Sequence, residues 1–339
     1  MTPLRLGTRG SALALAQAEQ VADALRARTG RAVELIEIGT TGDRSDRPVP
    51  ELGVGVFVSA LREALLAKEI DFAVHSYKDL PSAPADGLIV AAVPQRQDPR
   101  DALIARDGLP LSALPPGARV GTGAVRRVAQ LHALGLQLDV RPIRGNVDTR
   151  LRRVAEGELD AVVLARAGLA RLGRADEITE SLDPMLMLPA PAQGALAVEC
   201  RSTAVTDDDA DLPALLRGID DLDSRLCVAA ERALLATLEA GCSTPIAALA
   251  VLAEDEDGTL ELYLRGAVIS PDGARAIRLS RTAALPTTDP EPAAAVIGRE
   301  LAADLRDAGA DDLLAPGAGT DENPQPGDAG RGSQSGSAR

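Results

Sequence analysis

A short phrase that occurs twice constrains this chain more than any other feature. Leu6-Gly7-Thr8, a brief loop and a helical stretch containing Ala16-Gln17 are echoed by Val120-Gly121-Thr122, a loop and a helical stretch containing Ala129-Gln130. Around the first copy, short apolar runs predict strands over 4–7, 33–38, 72–75 and 88–93, alternating with helices over 11–28 and 57–68. Around the second, strands over 119–121, 140–143 and 161–165 alternate with helices over 125–134 and 147–156. Two α/β lobes on related βα modules satisfy this restart. Paired lobes bind ligands in the crevice between them, where strand carboxyl ends and helix N-termini converge, so both Gly-Thr loops should face that crevice. After residue 207 the rhythm changes to a helix over 222–239, strands over 246–252, 260–268 and 276–281, and a helix over 292–308, which reads as a small α+β domain. From residue 315 Gly, Pro, Ser, Asp and Gln replace any apolar period, and a disordered tail is expected.

The chain's 339 residues allow two or three domains at about 100–200 residues each. With 45% apolar residues there is enough hydrophobic side chain for several cores, but aromatics are 1% and Trp is absent, so those cores must be Leu, Val, Ile and Ala. The same scarcity argues against base-stacking platforms and nucleic-acid partners. The net charge of −14 is uneven: residues 1–200 carry 24 Lys+Arg against 25 Asp+Glu, residues 201–339 only 12 against 25. The acidity therefore belongs to the C-terminal part and leaves the lobes open to anionic ligands. Lys68 and Lys78 are the sole lysines, so 34 of 36 cationic side chains are arginines, whose planar forks pair bidentately with carboxylates.

Cys200, Cys227 and Cys242 are odd in number and widely spaced, which suggests neither a disulfide framework nor a zinc finger, and fits a reducing cytosol. With His75 and His132 as the only histidines, no multi-His metal centre is assembled, and no metal is expected. The Ala/Leu-rich run over 12–18 continues into Glu19, Gln20 and Asp23 and reads as an amphipathic helix capped by Ser11 rather than a signal peptide. No stretch reaches the ~18 uninterrupted apolar residues of a membrane span, so a cytoplasmic protein without membrane partners is expected.

Four constellations carry chemistry. Gly121-Thr122-Gly123 opens a helix whose first turn holds Arg126 and Arg127; cations there oppose the helix dipole, which an anion on the same amides explains as well as an exposed arginine pair does. The window 126–153 adds Arg141, Arg144, Arg150, Arg152 and Arg153 against Asp139 and Asp148, and Arg9 repeats the arrangement in the other Gly-Thr loop. Asn146 reads as an N-cap with Val147, Leu151 and Val154 as the buried stripe, which leaves Arg144 before the helix and Arg150 in its first turns. Several guanidinium groups aimed at one crevice imply a ligand with several carboxylates or phosphates; a solvated basic face is the alternative. His75-Ser76-Tyr77-Lys78-Asp79-Leu80-Pro81 closes a strand with titratable groups: Asp79 is either a turn former or a carboxylate for proton transfer or cation stabilisation, and Lys78 an anion ligand or a Schiff-base amine. Cys242 follows a helix C-terminus with no histidine near it in sequence, a poor setting for an activated thiol, whereas Cys200 and Cys227 read as packing residues.

Taken together, Gly7-Thr8-Arg9-Gly10-Ser11, the 75–81 segment, Gly121-Thr122 with Arg126-Arg127, Arg144-Gly145-Asn146-Val147-Asp148-Thr149-Arg150, Pro191-Ala192-Gln193-Gly194 and Gly241-Cys242 resemble the porphobilinogen deaminase (hydroxymethylbilane synthase) family, over about residues 4–310. The resemblance implies an α/β protein of two type II periplasmic-binding-protein-like lobes and a C-terminal α+β domain. Domain 1 would comprise residues 1–94 and 195–214, domain 2 residues 95–194, domain 3 residues 215–312, with a tail over 313–339. It also implies a monomeric cytoplasmic transferase of tetrapyrrole (heme) biosynthesis that condenses four porphobilinogen molecules head to tail into hydroxymethylbilane, releasing ammonia at each addition. Its dipyrromethane cofactor would be tethered through a thioether to Cys242. Carried over position by position, Asp79 is the catalytic carboxylate; Lys78, Ser76, Thr122, Arg126, Arg127 and Arg150 hold the cofactor; Arg9, Ser11, Arg144, Arg171 and Gln193 hold substrate. Asp79 would stabilise the azafulvenium left when ammonia departs, and arginine neighbours would keep it ionised.

The chain departs from the family pattern at Ala124, where Ser is common, and at Val54 and Ser59, where Lys is common, so some side-chain contacts to carboxylates are missing. The Gly-, Asp-, Arg- and Pro-rich stretch over 41–56 reads as a mobile lid or a plain surface loop. Two rival readings use the same scaffold: a non-catalytic solute-binding protein, and a Schiff-base enzyme acting through Lys78.

Overall fold

The computed structural model describes residues 2–39, 58–204, 211–238 and 245–314. The first βα turn forms because Ser11 stops the backbone in an extended conformation and its Oγ accepts a hydrogen bond from Ala14 N at 3.3 Å, while Gly30, at φ 69°, closes the same helix by donating to Arg26 O. In chain order the first part comprises β1 (Leu4–Thr8), α1 (Ala12–Thr29), β2 (Val33–Glu37), α2 (Ser59–Leu66), β3 (Phe72–Ser76) and β4 (Leu88–Ala92). Next come β5 (Asp101–Ala105), β6 (Arg119–Thr122), α3 (Val125–Ala133), β7 (Asp139–Pro142), α4 (Val147–Ala155), β8 (Ala161–Ala165), α5 (Arg166–Arg171) and β9 (Glu180–Ser181). Then follow β10 (Leu196–Arg201), α6 (Leu212–Leu216), α7 (Leu222–Thr237), β11 (Ile246–Glu254), β12 (Leu260–Ile269), β13 (Ala276–Ala284), α8 (Pro290–Asp307) and α9 (Ala310–Leu314).

Two five-stranded sheets have the same plan. In β2-β1-β3-β10-β4 and in β7-β6-β8-β5-β9 the first three strands are parallel, and the fourth runs against them. The reversed strand is in each case reached across the molecule: β5 follows the crossing from β4, and β10 follows the crossing back from β9. This is the type II periplasmic-binding-protein arrangement, and its two crossings tie the lobes together. The Gly-Thr echo has a packing cause. A Cβ at Gly7 would lie 2.2 Å from Ile70 Cδ1, and one at Gly121 2.6 Å from Leu159 Cδ1, so in each lobe glycine lets an isoleucine or leucine side chain close over the strand without shifting.

The cores are aliphatic, as the composition requires. Leu4, Leu6, Val21, Leu25, Phe72 and Val198 fill the first lobe. The second lobe buries Leu103, Val120, Leu131 and Val163 on one face of its sheet, and Ile143, Leu151, Val162 and Leu169 on the other. In the third unit α7 and α8 cover a three-stranded antiparallel sheet, β11-β12-β13, around Leu234, Leu262, Leu264 and Leu301. That sheet's other face meets α3 of the second lobe through Ala129, Leu188, Ala247 and Ile269. No helix among the described residues is long and apolar enough to cross a membrane.

The predicted α/β rhythm holds for every strand and helix read from periodicity, with ends moved by one to three residues and Phe57 outside the described residues. Reading the sequence missed β5, β9, β10, α5, α6 and α9. The 41–56 stretch, Val54 and Cys242 lie outside the described residues, as does the tail from residue 315; α9 runs to Leu314.

Candidate active site

The turn from β6 into α3 places Arg126 and Arg127 in a helix's first turn, and the structure shows what makes two cations tolerable there. Both are 4% exposed, and both close on Asp101 of β5, which is wholly buried. Arg126 Nη2 lies 2.8 Å from Asp101 Oδ2, and Arg127 Nη2 2.9 Å from Oδ1. Gln193 Nε2 donates to the same Oδ1 at 2.8 Å and to Pro99 O at 2.7 Å. Burial alone would raise the Asp101 pKa; the two guanidinium charges, with hydrogen bonds from Arg127 and Gln193, outweigh it and hold the carboxyl at about 2. The exposed-pair alternative is thereby excluded. Asp101 itself was missed in the sequence; its only signal is an acid heading the apolar run 102–105, in a segment not read as a strand.

The Gln193 side chain joins the two lobes' functional groups. Its Oε1 accepts from Arg127 Nη2 at 3.4 Å and from Lys78 Nζ, of the first lobe, at 3.5 Å. Desolvation lowers the Lys78 pKa to about 8, against the pull of Asp79. Next to Gln193, Gly194 adopts φ +89°, and a Cβ there would sit 2.3 Å from Gln97 O, so glycine is required where the crossings touch. Arg171 of α5 donates to Gly194 O at 2.6 Å, and burial brings its pKa down to about 10. Arg150 of α4 is anchored by Nε to Gly145 O at 2.9 Å, and burial with the nearby Arg127 charge lowers it to about 10. Asn146 caps α4 as expected, accepting from Thr149 N at 2.9 Å.

At the first lobe's strand ends, Gln17 of α1 donates to Ser76 Oγ at 2.8 Å, which ties the α1 turn to the end of β3. Ser11 Oγ accepts the α1 capping bond and keeps its O–H to donate, and half-buried Arg9 and exposed Arg144 stand in the loops before α1 and α4. Thr122, buried at the end of β6, reaches Val163 O at 3.5 Å, sharing that carbonyl with Arg127. Asp79 ends a 3-10 turn over Tyr77–Asp79 and is exposed. Its carboxylate forms no hydrogen bond or ion pair among the described residues, and there it acts on Lys78.

Three of the seven window arginines face away from this cluster: Arg141 pairs with Asp139, Arg153 with Glu158, and Arg152 is exposed. Cys200 and Cys227 are buried, and burial pushes both thiols up to about 12, which leaves them inert. What remains is a site of one sign. Arg126 and Arg127 pair with one buried carboxylate, Asp101; Lys78 meets Arg127 at Gln193, Arg150 lies near Arg127, Arg171 bonds the adjoining Gly194, and exposed Asp79 stands beside Lys78. Arg126 Nε and Arg171 Nε are buried without a hydrogen-bond partner among the described residues. Such donors fit a polycarboxylate.

Comparison with known proteins identifies the pattern. Residues 4–209 match the family model described as "Porphobilinogen deaminase, dipyromethane cofactor binding domain", and residues 225–307 the one described as "Porphobilinogen deaminase, C-terminal domain". The porphobilinogen deaminase of Nocardia farcinica is 57% identical over 324 residues, covering 94% of this chain and 90% of that one. That of Mycobacterium tuberculosis (strain ATCC 25177 / H37Ra) is 55% identical over 315 residues, covering 92% and 98%. Among solved structures the methionine binding protein MetQ aligns at 12% identity and TM-score 0.38 over 65% of this chain and 91% of its own. With both family models matched in order along the chain and more than half of all residues shared with these relatives over nearly their full length, the chain belongs to the porphobilinogen deaminase family.

Proposed function

We propose that this chain condenses four porphobilinogen molecules head to tail into hydroxymethylbilane, releasing ammonia at each addition, on a dipyrromethane cofactor joined by a thioether to Cys242. The observation that carries the reading is a set of five desolvated or buried cations, Arg126 and Arg127 paired with Asp101 and Lys78, Arg150 and Arg171 beside Gln193, Arg127 and Gly194 respectively. Each pyrrole of substrate and cofactor bears two carboxylates, so the cluster's surplus of positive charge has a counterpart, and the two unpartnered Nε groups have acceptors. When bound, the dipyrromethane supplies the terminal pyrrole carbon to which substrate units are added.

The chain's residues divide the work. Arg126, Arg127, Arg150, Lys78, Ser76 and Thr122 hold cofactor acids at the strand ends, while Arg9, Ser11, Arg144, Arg171 and Gln193 orient the incoming porphobilinogen. When the aminomethyl C–N bond breaks, nitrogen leaves as ammonia and the carbon becomes cationic; Asp79, which has no ion pair with arginine among the described residues, is the carboxylate able to face that charge. The C–C bond then forms, and the displaced α-carbon proton passes to a base, for which Asp79 is the nearest candidate in the turn. The domain division 1–94 with 195–214, 95–194 and 215–312 goes with this reading, since it places Asp79, the arginine cluster and the tether on three separate units. The enzyme is taken to work as a cytoplasmic monomer.

Intact mass spectrometry tests the proposal. The purified chain should weigh more than its polypeptide by about two pyrrole units, Cys242→Ser should lose that increment, and Asp79→Asn should keep it while losing turnover. Porphobilinogen consumption by a chain of bare polypeptide mass would refute the tether, and near-normal product from Asp79→Asn would refute its role. An increment that survives in Cys242→Ser but disappears in Lys78→Arg would favour the Schiff-base alternative.

A further inference from the structure

Asp79 has no side-chain bond to fix it among the described residues, so its position depends on the backbone of its turn. That backbone is held from another unit of the protein. Arg232, on α7, donates through Nη1 to Tyr77 O at 3.3 Å and to Leu80 O at 3.0 Å, and through Nη2 to Pro81 O at 2.6 Å. Its guanidinium carbon stacks 4.6 Å from the centre of the Tyr77 ring. Tyr77 O also takes the turn's own hydrogen bond from Leu80 N at 3.2 Å, and a cation at the end of such a turn is favoured by the aligned carbonyl dipoles. The turn's other attachments are weaker in direction: Tyr77 N donates to Ala195 O at 3.1 Å, and the Tyr77 ring packs among Val93, Ala192 and Val228. These fix where the turn begins. Buried Leu80, packed with Val58 and Ala197, anchors the other end, and Arg232 is the polar contact that bonds to the backbone at both ends.

We infer that Arg232 is a positioning residue for the reaction, acting through the Lys78–Asp79 turn without touching substrate; the inference rests on the function proposed above. Arginine is specified over lysine because three carbonyls and a ring face are satisfied together only by a planar fork; an ammonium reaches one or two of them and stacks poorly. Displacement of a reacting group by about 1 Å costs on the order of 100-fold in rate. The cost should fall on kcat, because substrate carboxylates are gripped by other side chains.

The experiment compares wild-type holoenzyme with Arg232→Lys and Arg232→Ala, reading intact mass, thermal midpoint, kcat and KM for porphobilinogen, with and without added guanidinium ion. Expected are retained cofactor mass, kcat lowered about 10–100-fold in the alanine variant and less in the lysine variant, and KM within about threefold of wild type. Guanidinium, but not ammonium, should restore part of the alanine variant's kcat. Should the alanine variant fail to fold, a lysine variant with wild-type kcat would overturn the role. A kcat unchanged in either folded variant, or lowered only in step with the thermal midpoint and unmoved by guanidinium, overturns it too. Wild-type protein that carries the adduct yet converts no porphobilinogen contradicts the proposed function and this role together, whereas wild-type turnover matched by the variants contradicts the role alone.

Discussion

Asp101 and Asp79 are carboxylates of opposite kinds, and the difference decides what each can do. Asp101 is wholly buried between two guanidinium groups, with its pKa held at about 2, so it is a fixed counter-charge that never carries a proton at working pH. Because its folded pKa lies below the ordinary value of 3.8, it contributes stability that is fully present above that value and is lost as pH falls toward 2. The contribution is about 2 kcal/mol. Asp101→Asn should therefore flatten the acid limb of a stability profile followed by chemical unfolding between pH 4 and pH 2. At neutral pH it should also cost roughly 3–5 kcal/mol, because two buried cations lose their partner. An asparagine variant as stable as wild type at neutral pH would show that the pair is compensated elsewhere. The arginine half of this triad was legible in the sequence, since adjacent cations in a helix's first turn contradict the dipole and demand an explanation. The acid half was not, because its meaning comes from a strand pairing that local pattern does not encode, and the same holds for Arg232, an unremarkable helix position until its partners' backbone is seen.

Elements were readable where their own residues specify them. Ser11 and Asn146 announce helix starts, and both accept the capping hydrogen bond expected of them. β5 and β10 were unreadable as strands of particular sheets for a different reason: each pairs antiparallel with a strand distant in sequence, after the chain has crossed between lobes. What forces the second crossing into shape is Gly194, at φ +89° with its α-carbon against the Gln97 carbonyl of the first crossing. Gly194→Ala would bring a Cβ to 2.3 Å from a backbone oxygen that has no flexible end to move aside. A loss of about 1–3 kcal/mol is expected from the crowding and backbone strain combined. The same substitution should loosen Arg171, whose guanidinium is bonded to the Gly194 carbonyl, so KM for porphobilinogen should rise along with the fall in stability. Unchanged KM with lowered stability would separate the crossing's structural role from the substrate grip.

At the scale of the molecule, the restart of the βα rhythm was enough to see two lobes and the late change of pattern enough to see a third unit, but not how the third holds the others. Glu231 does this: its carboxylate pairs with Arg96 of the first crossing at 2.7 Å and accepts from Ala192 N of the second at 2.6 Å and from Ala250 N of its own sheet at 2.8 Å. Both crossings are thereby bound to α7, while the arginine cluster they flank keeps more positive charge than its own carboxylates balance. In the proposed holoenzyme the cofactor's acids supply the difference, so its loss should destabilise the folded chain by like-charge repulsion among desolvated groups. Cys242→Ser, which cannot hold the tether, should melt several degrees below wild type, at roughly 2–4 °C per kcal/mol for a chain of this size. A multivalent carboxylate such as citrate should recover part of that loss by binding the folded state, and should raise wild type much less, because there the cations are already engaged. Sodium chloride at equal ionic strength is the control, since screening of buried groups is weak. Equal midpoints for Cys242→Ser and wild type, or equal responses to citrate, would mean that the cluster is neutralised by the protein itself and does not await an acidic ligand.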